Sequence, residues 1–344
     1  MKFQLAINME RMDDSLDMTD VARHTIEMVQ MAEAGGFDIA WAAEHHALEM
    51  TIAPNPFQIL TWWGAETSTI RLGTAVATAA YWHPIGLAGE AAMVDLLTGG
   101  RLEFGIGSGA YQREFDRMHP GLKQSDGWRY MQEMLPAVRA LWAGDYAHDG
   151  DYWTFPVSTS VPKPVQPEVP VWVAARSPIT YDYAIANKCN VNCWPLTRPF
   201  SEAELYKRQL DDAIAKADNG FAPRFALMRH ACVYDNDAGR AEAIAAIRTV
   251  LGQFENLFRN AGDVVNGFPK PLPLEDIEGR DQYDPAMLEE NLMFGTPGQV
   301  IAKLKRYQAL GVDEFIYYAS MGLGHDAQKR SLKLFCDEVI PALS

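Results

Sequence analysis

Short runs of β-branched or apolar residues alternate with longer amphipathic stretches from one end of this chain to the other, and few folds accept that rhythm. It is the pattern of successive strand–helix units laid around a parallel sheet. Eight runs qualify: residues 2–8, 37–43, 70–76, 101–106, 170–175, 190–195, 225–233 and 313–318, each followed by a helical period. Eight is the number that closes a barrel, so the spacing predicts an α/β chain of the (β/α)8 TIM-barrel class. The 344 residues suffice for one such barrel domain spanning 1–344. Asp17 to Thr19 can cap the first helix, Gly35-Gly36 and Gly99-Gly100 can end two others, and Pro297 and Gly311 bracket another.

Two stretches break the rhythm and are expected as insertions. Residues 145–168, after strand four, carry Tyr152, Trp153, Phe155 and the prolines 162, 164 and 167, which suits a short hairpin followed by an extended segment. Residues 260–295, before strand eight, hold Gly262, Gly267, Pro269, Pro271, Pro273 and Gly279, the composition of a long loop or lid.

Composition narrows the class of partner. A formal net charge of −15 disfavours nucleic acid and anionic membrane surfaces, both of which need a basic face. No apolar run reaches membrane-spanning length, and Met1 to Leu5 begins an alternating strand rather than a leader, so a cytoplasmic enzyme acting on a small molecule is expected. The four cysteines, 189, 193, 232 and 336, are scattered in apolar surroundings and read as free thiols; no metal is expected.

In a barrel of this kind chemistry sits just past the C-terminal ends of the strands. Those positions hold Asn8, then Glu44-His45-His46, Thr74 to Thr78, Gly107-Ser108-Gly109, Arg176-Ser177, and Tyr318 with Ser320. Consecutive side chains on extended backbone point opposite ways, so one of the two histidines should face the cavity. Arg176, Ser177 and Thr180 lie where strand five passes into a helix, and that N-terminus can hold a phosphate as well as cap itself. Trp62-Trp63 suggests core or a dimer contact, and Tyr81 with Trp82 a cavity wall.

Four ordered segments, taken together, resemble the luciferase-like flavin-dependent monooxygenases. They are Gly35 to Trp41 running into Glu44-His45-His46; His83-Pro84 through Asp95-Leu96-Leu97 and Gly99-Gly100-Arg101 to Gly105-Ile106-Gly107-Ser108-Gly109; Val171 to Ala174 with Ser177 and Thr180; and Gly295 to Gly298 followed by Gly311 to Phe315. The resemblance implies noncovalent FMN, used as FMNH2 from a separate flavin reductase, which reacts with oxygen to give a flavin hydroperoxide that oxidises a small, partly apolar substrate. It implies His45 as the active-site histidine, with His46 beside it and Glu44 either orienting His45 or simply satisfying a rim hydrogen bond. It further implies Ala75-Val76, often a nonproline cis bond in this family, against the flavin ring, with Ser177, Thr180 and Arg129 at the phosphate.

The chain departs from the luciferases proper at Gly107-Ser108, where they carry Cys-Arg, and at Arg176, where they carry an acid; Arg176 is then the compensating cation. Those departures argue against light emission and leave the oxidised bond open. A deazaflavin-dependent dehydrogenase or reductase on the same barrel, and a noncatalytic flavin-binding subunit, are the alternatives. His83, Tyr111 and His230 are candidates for substrate contact, and a homodimer is expected.

Overall fold

Each of the eight apolar runs folds as a strand. The computed structural model describes residues 1–277 and 280–343. In chain order the strands are β1 (Lys2–Ala6), β2 (Ile39–Ala42), β3 (Arg71–Thr74), β4 (Leu102–Gly107), β5 (Val171–Ala174), β6 (Asn190–Cys193), β7 (Phe225–Val233) and β8 (Glu314–Tyr318). Every neighbouring pair is parallel, and β8 pairs back onto β1 with Lys2 opposite Glu314, so the sheet closes into a (β/α)8 barrel.

Eleven α-helices occur among the described residues: α1 (Met18–Ala34), α2 (Pro56–Ala65), α3 (Pro84–Leu97), α4 (Gln112–Met118), α5 (Gly127–Ala143), α6 (Pro178–Ala186), α7 (Phe200–Ala217), α8 (Asp237–Arg259), α9 (Pro285–Asn291), α10 (Pro297–Ala309) and α11 (His325–Leu334). Asp17 caps α1 by accepting from the Thr19 and Asp20 amides, and α10 opens on Pro297 behind a Thr296–Gln299 capping box.

Period-two alternation sorts each strand into an outward face packed on helices and an inward face. Inward-facing Ala6, Ile39, Trp41, Trp172, Ala226, Ile316 and Tyr318 fill the barrel as one cluster. Gly73 leaves room for the Trp41 indole, which a Cβ there would strike. Below this layer the barrel is plugged by charge. Arg224 pairs with Glu314, Glu103 and Asp38 and lies 4.9 Å from the Trp172 ring centre. Gln4 joins Glu314, and the Trp172 indole N–H donates to Glu103. That end is closed, so any cavity must open at the other.

The insertion after β4 contains an antiparallel hairpin, Tyr146–Asp149 with Thr154–Ser158, and then an extended segment with a cis Val161-Pro162 bond. The stretch 260–295 is more ordered than a long loop. It carries a small hairpin (Val264–Val265 with Phe268–Pro269), helix α9 capped by Asp284, and a strand Met293–Gly295 that extends the sheet beside β7. These pieces are two to seven residues long, too short for a hydrophobic period to register. Gly279 of that stretch lies outside the described residues.

Candidate active site at the barrel mouth

A cavity of about 530 Å³ opens at the C-terminal ends of the strands. Glu44, His45, Ala75, Val76, Ser108 and Arg176 line it, so six of the positions singled out above converge there. His46 does not line it. The alternation along extended backbone sends His45 inward and His46 back toward Tyr81, whose ring it meets edge-on at 5.2 Å.

His45 is held by a residue that sequence reasoning missed. Its Nδ1 lies 3.0 Å from Glu114 Oε2, and the same carboxylate accepts the His46 amide at 2.6 Å. Glu114 is buried on α4, a seven-residue helix that the Gly107–Gly109 turn swings under the His45 loop. With Nδ1 engaged by a carboxylate, Nδ1 keeps its proton and Nε2 is left for the cavity. Tyr111 covers one face of the imidazole, 5.0 Å between ring centres.

Of the two roles open to Glu44, orienting His45 and satisfying hydrogen bonds at the rim, the structure has the second. Both Glu44 oxygens are used elsewhere: Oε1 meets His46 Nε2 at 2.9 Å, Oε2 accepts the Thr78 amide at 2.7 Å, and the Trp82 indole N–H reaches both. Glu44 therefore ties the β2 loop to the segment after β3, and Trp82 is spent on that tie rather than on a free cavity wall. Tyr81 likewise packs on Phe115 and His46 outside the lining. His83 caps α3 by accepting the Ile85 amide and is not among the residues lining the cavity.

Burial alone would pull the His45 pKa down, but the charge and hydrogen bond of Glu114, helped by Glu44, outweigh it and leave the group above its ordinary value. Replacing Glu114 by Gln removes the larger of those charges. We expect Glu114→Gln to shift the His45 limb of the pH profile of kcat/KM to lower pH while leaving cofactor affinity unchanged. A limb that stays in place would mean that another group titrates.

The remaining walls differ in character. From β1 to β5 the mouth presents Ala6, Ala43, Ala75, Val76, Gly107, Ala174 and Ala175. The Ala75-Val76 peptide is cis, and a Cβ at Gly107 would strike Val76. Small residues thus make up much of that side, beside Trp41, Thr78 and Ser108, and leave room for a planar ring system. At its edge Arg176 is exposed, with no hydrogen-bond or ion-pair partner among the described residues. Ser177 and Thr180 follow at the start of α6, their hydroxyls 3.2 Å apart. Arg129, on the first turn of α5, is exposed and outside the lining, but Gly127 two residues earlier is pressed against the Ser108 carbonyl. From β6 to α8 the wall is aromatic: Trp194, Phe254, Phe258 and Tyr318, with Tyr111 adjoining. Asn8 spans the gap, donating to the Tyr318 hydroxyl at 2.9 Å and to Thr51 at 3.2 Å.

The sequence profile of the luciferase-like monooxygenases matches residues 1–314. The chain belongs to that family. Among relatives of this luciferase-like monooxygenase, the oxygenase component of the flavin-dependent trigonelline monooxygenase of Acinetobacter baylyi is 38% identical over 345 residues, covering 100% of this chain and 96% of that one. An F420-dependent glucose-6-phosphate dehydrogenase of Rhodococcus jostii is more distant, 26% identical over 93% of this chain and 94% of its own length. In fold, the oxygenating constituent of the Pseudomonas putida 3,6-diketocamphane monooxygenase, solved with FMN, superposes with a TM-score of 0.78 over 99% of this chain and 98% of that one at 16% identity. The protein is thus an oxidoreductase, a flavin-dependent monooxygenase. The small-residue wall and the unpartnered Arg176 suit a flavin's ring and phosphate.

Among the described residues no cluster of histidine, cysteine and carboxylate groups could hold a metal ion, and no helix is long and apolar enough to cross a membrane. All four cysteines are free thiols, three of them buried.

Proposed function

We propose that this luciferase-like monooxygenase is the oxygenase component of a two-component system. It takes FMNH2 from a separate flavin reductase and transfers one atom of O2 to a small aromatic heterocycle of the trigonelline type. The observation that carries the reading is the pair of unlike walls, with His45 lining the cavity they enclose. Reduced FMN, when bound, supplies the oxygen activation. Ala75, Val76 and Ser108 would lie against its ring, and Arg176, Ser177 and Thr180 would take its phosphate, with Arg129 in reach from α5. Trigonelline is a methylated pyridinium carrying a carboxylate, and a flat cationic ring suits aromatic faces.

His45 holds or moves a proton at Nε2, and Glu114 fixes its orientation. Tyr111 and Phe258 line the mouth and shield it from water, which would otherwise compete for the activated oxygen, and the hairpin at 264–269 packs beside the loop after β2. That hairpin is anchored, since the Glu49 amide donates to the Gly267 carbonyl at 2.8 Å and Arg11 lies over Phe268.

Anaerobic titration with photoreduced FMN, followed by tryptophan fluorescence, tests the cofactor side. Binding is expected, and Arg176→Ala should weaken it by roughly tenfold or more, the loss of one charge-assisted contact. Exclusive binding of a deazaflavin would move the enzyme to hydride transfer.

The exposed Met93, Leu96 and Leu97 on α3, Leu97 at 60%, support the reading of a homodimer with α3 as its contact. Of the Trp62-Trp63 pair, read above as core or a dimer contact, Trp63 is fully buried in the core, where α2 turns it onto the barrel, and Trp62 is partly open. Light scattering should give twice the 38.3 kDa chain mass, and a value at 38.3 kDa would remove the dimer.

A further inference from the structure

Behind the aromatic wall lies a polar group that the fold does not use. On β7 the inward positions run Ala226, Met228, His230: Ala226 belongs to the barrel-filling cluster and Met228 lines the cavity. His230 is the next inward residue toward the mouth, paired in register with Tyr318 of β8. It stacks on the Tyr318 ring at 4.4 Å and 19°, meets Trp194 edge-on at 5.5 Å, and has Phe254 at 6.1 Å.

His230 is 0% exposed, and neither ring nitrogen has a hydrogen-bond partner. The Trp194 indole nitrogen beside it is also buried and unpartnered. Each unmet group costs stability that a phenylalanine or leucine would not, so the ring calls for a reason outside the fold. Burial first, and then the Arg229 charge, push the His230 pKa down to about 3, so the ring stays neutral with one N–H to give. Access runs through Trp194, which is half-buried, lines the cavity, and is tied by no hydrogen bond at Nε1.

Resting on the function proposed above, we infer that Trp194 and His230 are the specificity residues for substrate. Their two N–H groups take the acceptor of a flat heteroaromatic acid whose ring lies against Tyr318 and Phe254. Neutral donors suit a carboxylate whose counter-charge is carried in its own ring. A simple anion would call for a cation, and the guanidinium of Arg176, past the end of the adjacent strand β5, is assigned above to the cofactor phosphate.

The test uses full-length protein loaded anaerobically with photoreduced FMN, three probes, and steady-state turnover with a reductase. The probes are trigonelline, the corresponding N-methylpyridinium amide, and N-methylpyridinium without a substituent. Wild type should prefer the acid. His230→Phe should raise the KM for trigonelline about tenfold or more with kcat within threefold, leave reduced-FMN affinity unchanged, and melt no lower than wild type. His230→Gln, which keeps a donor, should recover part of the loss. An unchanged KM in His230→Phe, or a wild type that binds reduced FMN yet ignores all three probes, would overturn this assignment. A wild type that fails to bind reduced FMN would instead defeat the enzyme reading beneath it.

Discussion

His45→Ala should lose about 10²-fold in turnover, within the span of roughly 10²–10⁴ that positioned acid–base groups supply, while still binding reduced FMN and keeping its fold. The reason is geometric. The imidazole is half-buried, its Nδ1 is occupied by Glu114 at 3.0 Å, and its Nε2 is its one ring nitrogen left for the cavity. Removing the ring costs some packing on Tyr111, but Glu114 keeps its bond from the His46 amide, so the loop retains its tether. Stopped-flow single turnovers with preloaded reduced FMN separate the two effects: binding should be preserved and product formation slowed. His46→Ala should be milder on chemistry, because His46 lies outside the lining and bonds Glu44 instead. If His45→Ala turned over at the wild-type rate, the proton work would have to be assigned elsewhere, with Tyr111, which stacks on the ring, the first candidate.

The largest stability effect should come from the opposite end of the barrel. Arg224 is the shared counter-charge for Glu314, Glu103 and Asp38, and Glu103 and Glu314 are almost fully buried. Arg224→Met keeps much of the volume and removes the charge, leaving those carboxylates facing one another in a desolvated space. Breaking one side of a buried ion pair typically costs about 3–5 kcal/mol, which for a chain of this size lowers the melting midpoint by roughly 5–10 °C. The deficit should be greatest near neutrality and shrink in acid, since protonation relieves the repulsion; stability of the variant therefore falls as pH rises, relative to wild type. Paired melts at acid and neutral pH check both the size and the sign. A deficit under about 1 kcal/mol at neutrality would mean that Arg71 and the Trp172 N–H already satisfy the plug.

The barrel was legible in the sequence because each strand is a local event: an apolar run of the right length between glycine, proline and capping residues. The mouth was legible for the same reason, since strand ends name the residues that face it. What was hidden depends on pairs remote in sequence. Glu114 stands 69 residues from His45, and nothing in a seven-residue amphipathic helix announces which carboxylate turns inward. Glu44, being adjacent, looked like the natural partner, yet its reach goes to Thr78 and Trp82 instead. The charged plug was missed because strands were read as apolar, whereas Gln4, Glu103, Arg224 and Glu314 are inward residues that satisfy one another only after closure. His230 could be marked as a possible contact from its strand, but its lack of partners exists only in three dimensions.

The most direct measurement of the central claim is a single turnover of preloaded protein with 18O2 and trigonelline, with product mass, oxygen uptake and flavin oxidation read together. Our account predicts one labelled oxygen atom in the product and one O2 and one FMNH2 consumed per turnover, whereas without protein FMNH2 reduces O2 to hydrogen peroxide and no oxygenated product forms. Product formed without oxygen uptake, or without reduced FMN, would contradict it.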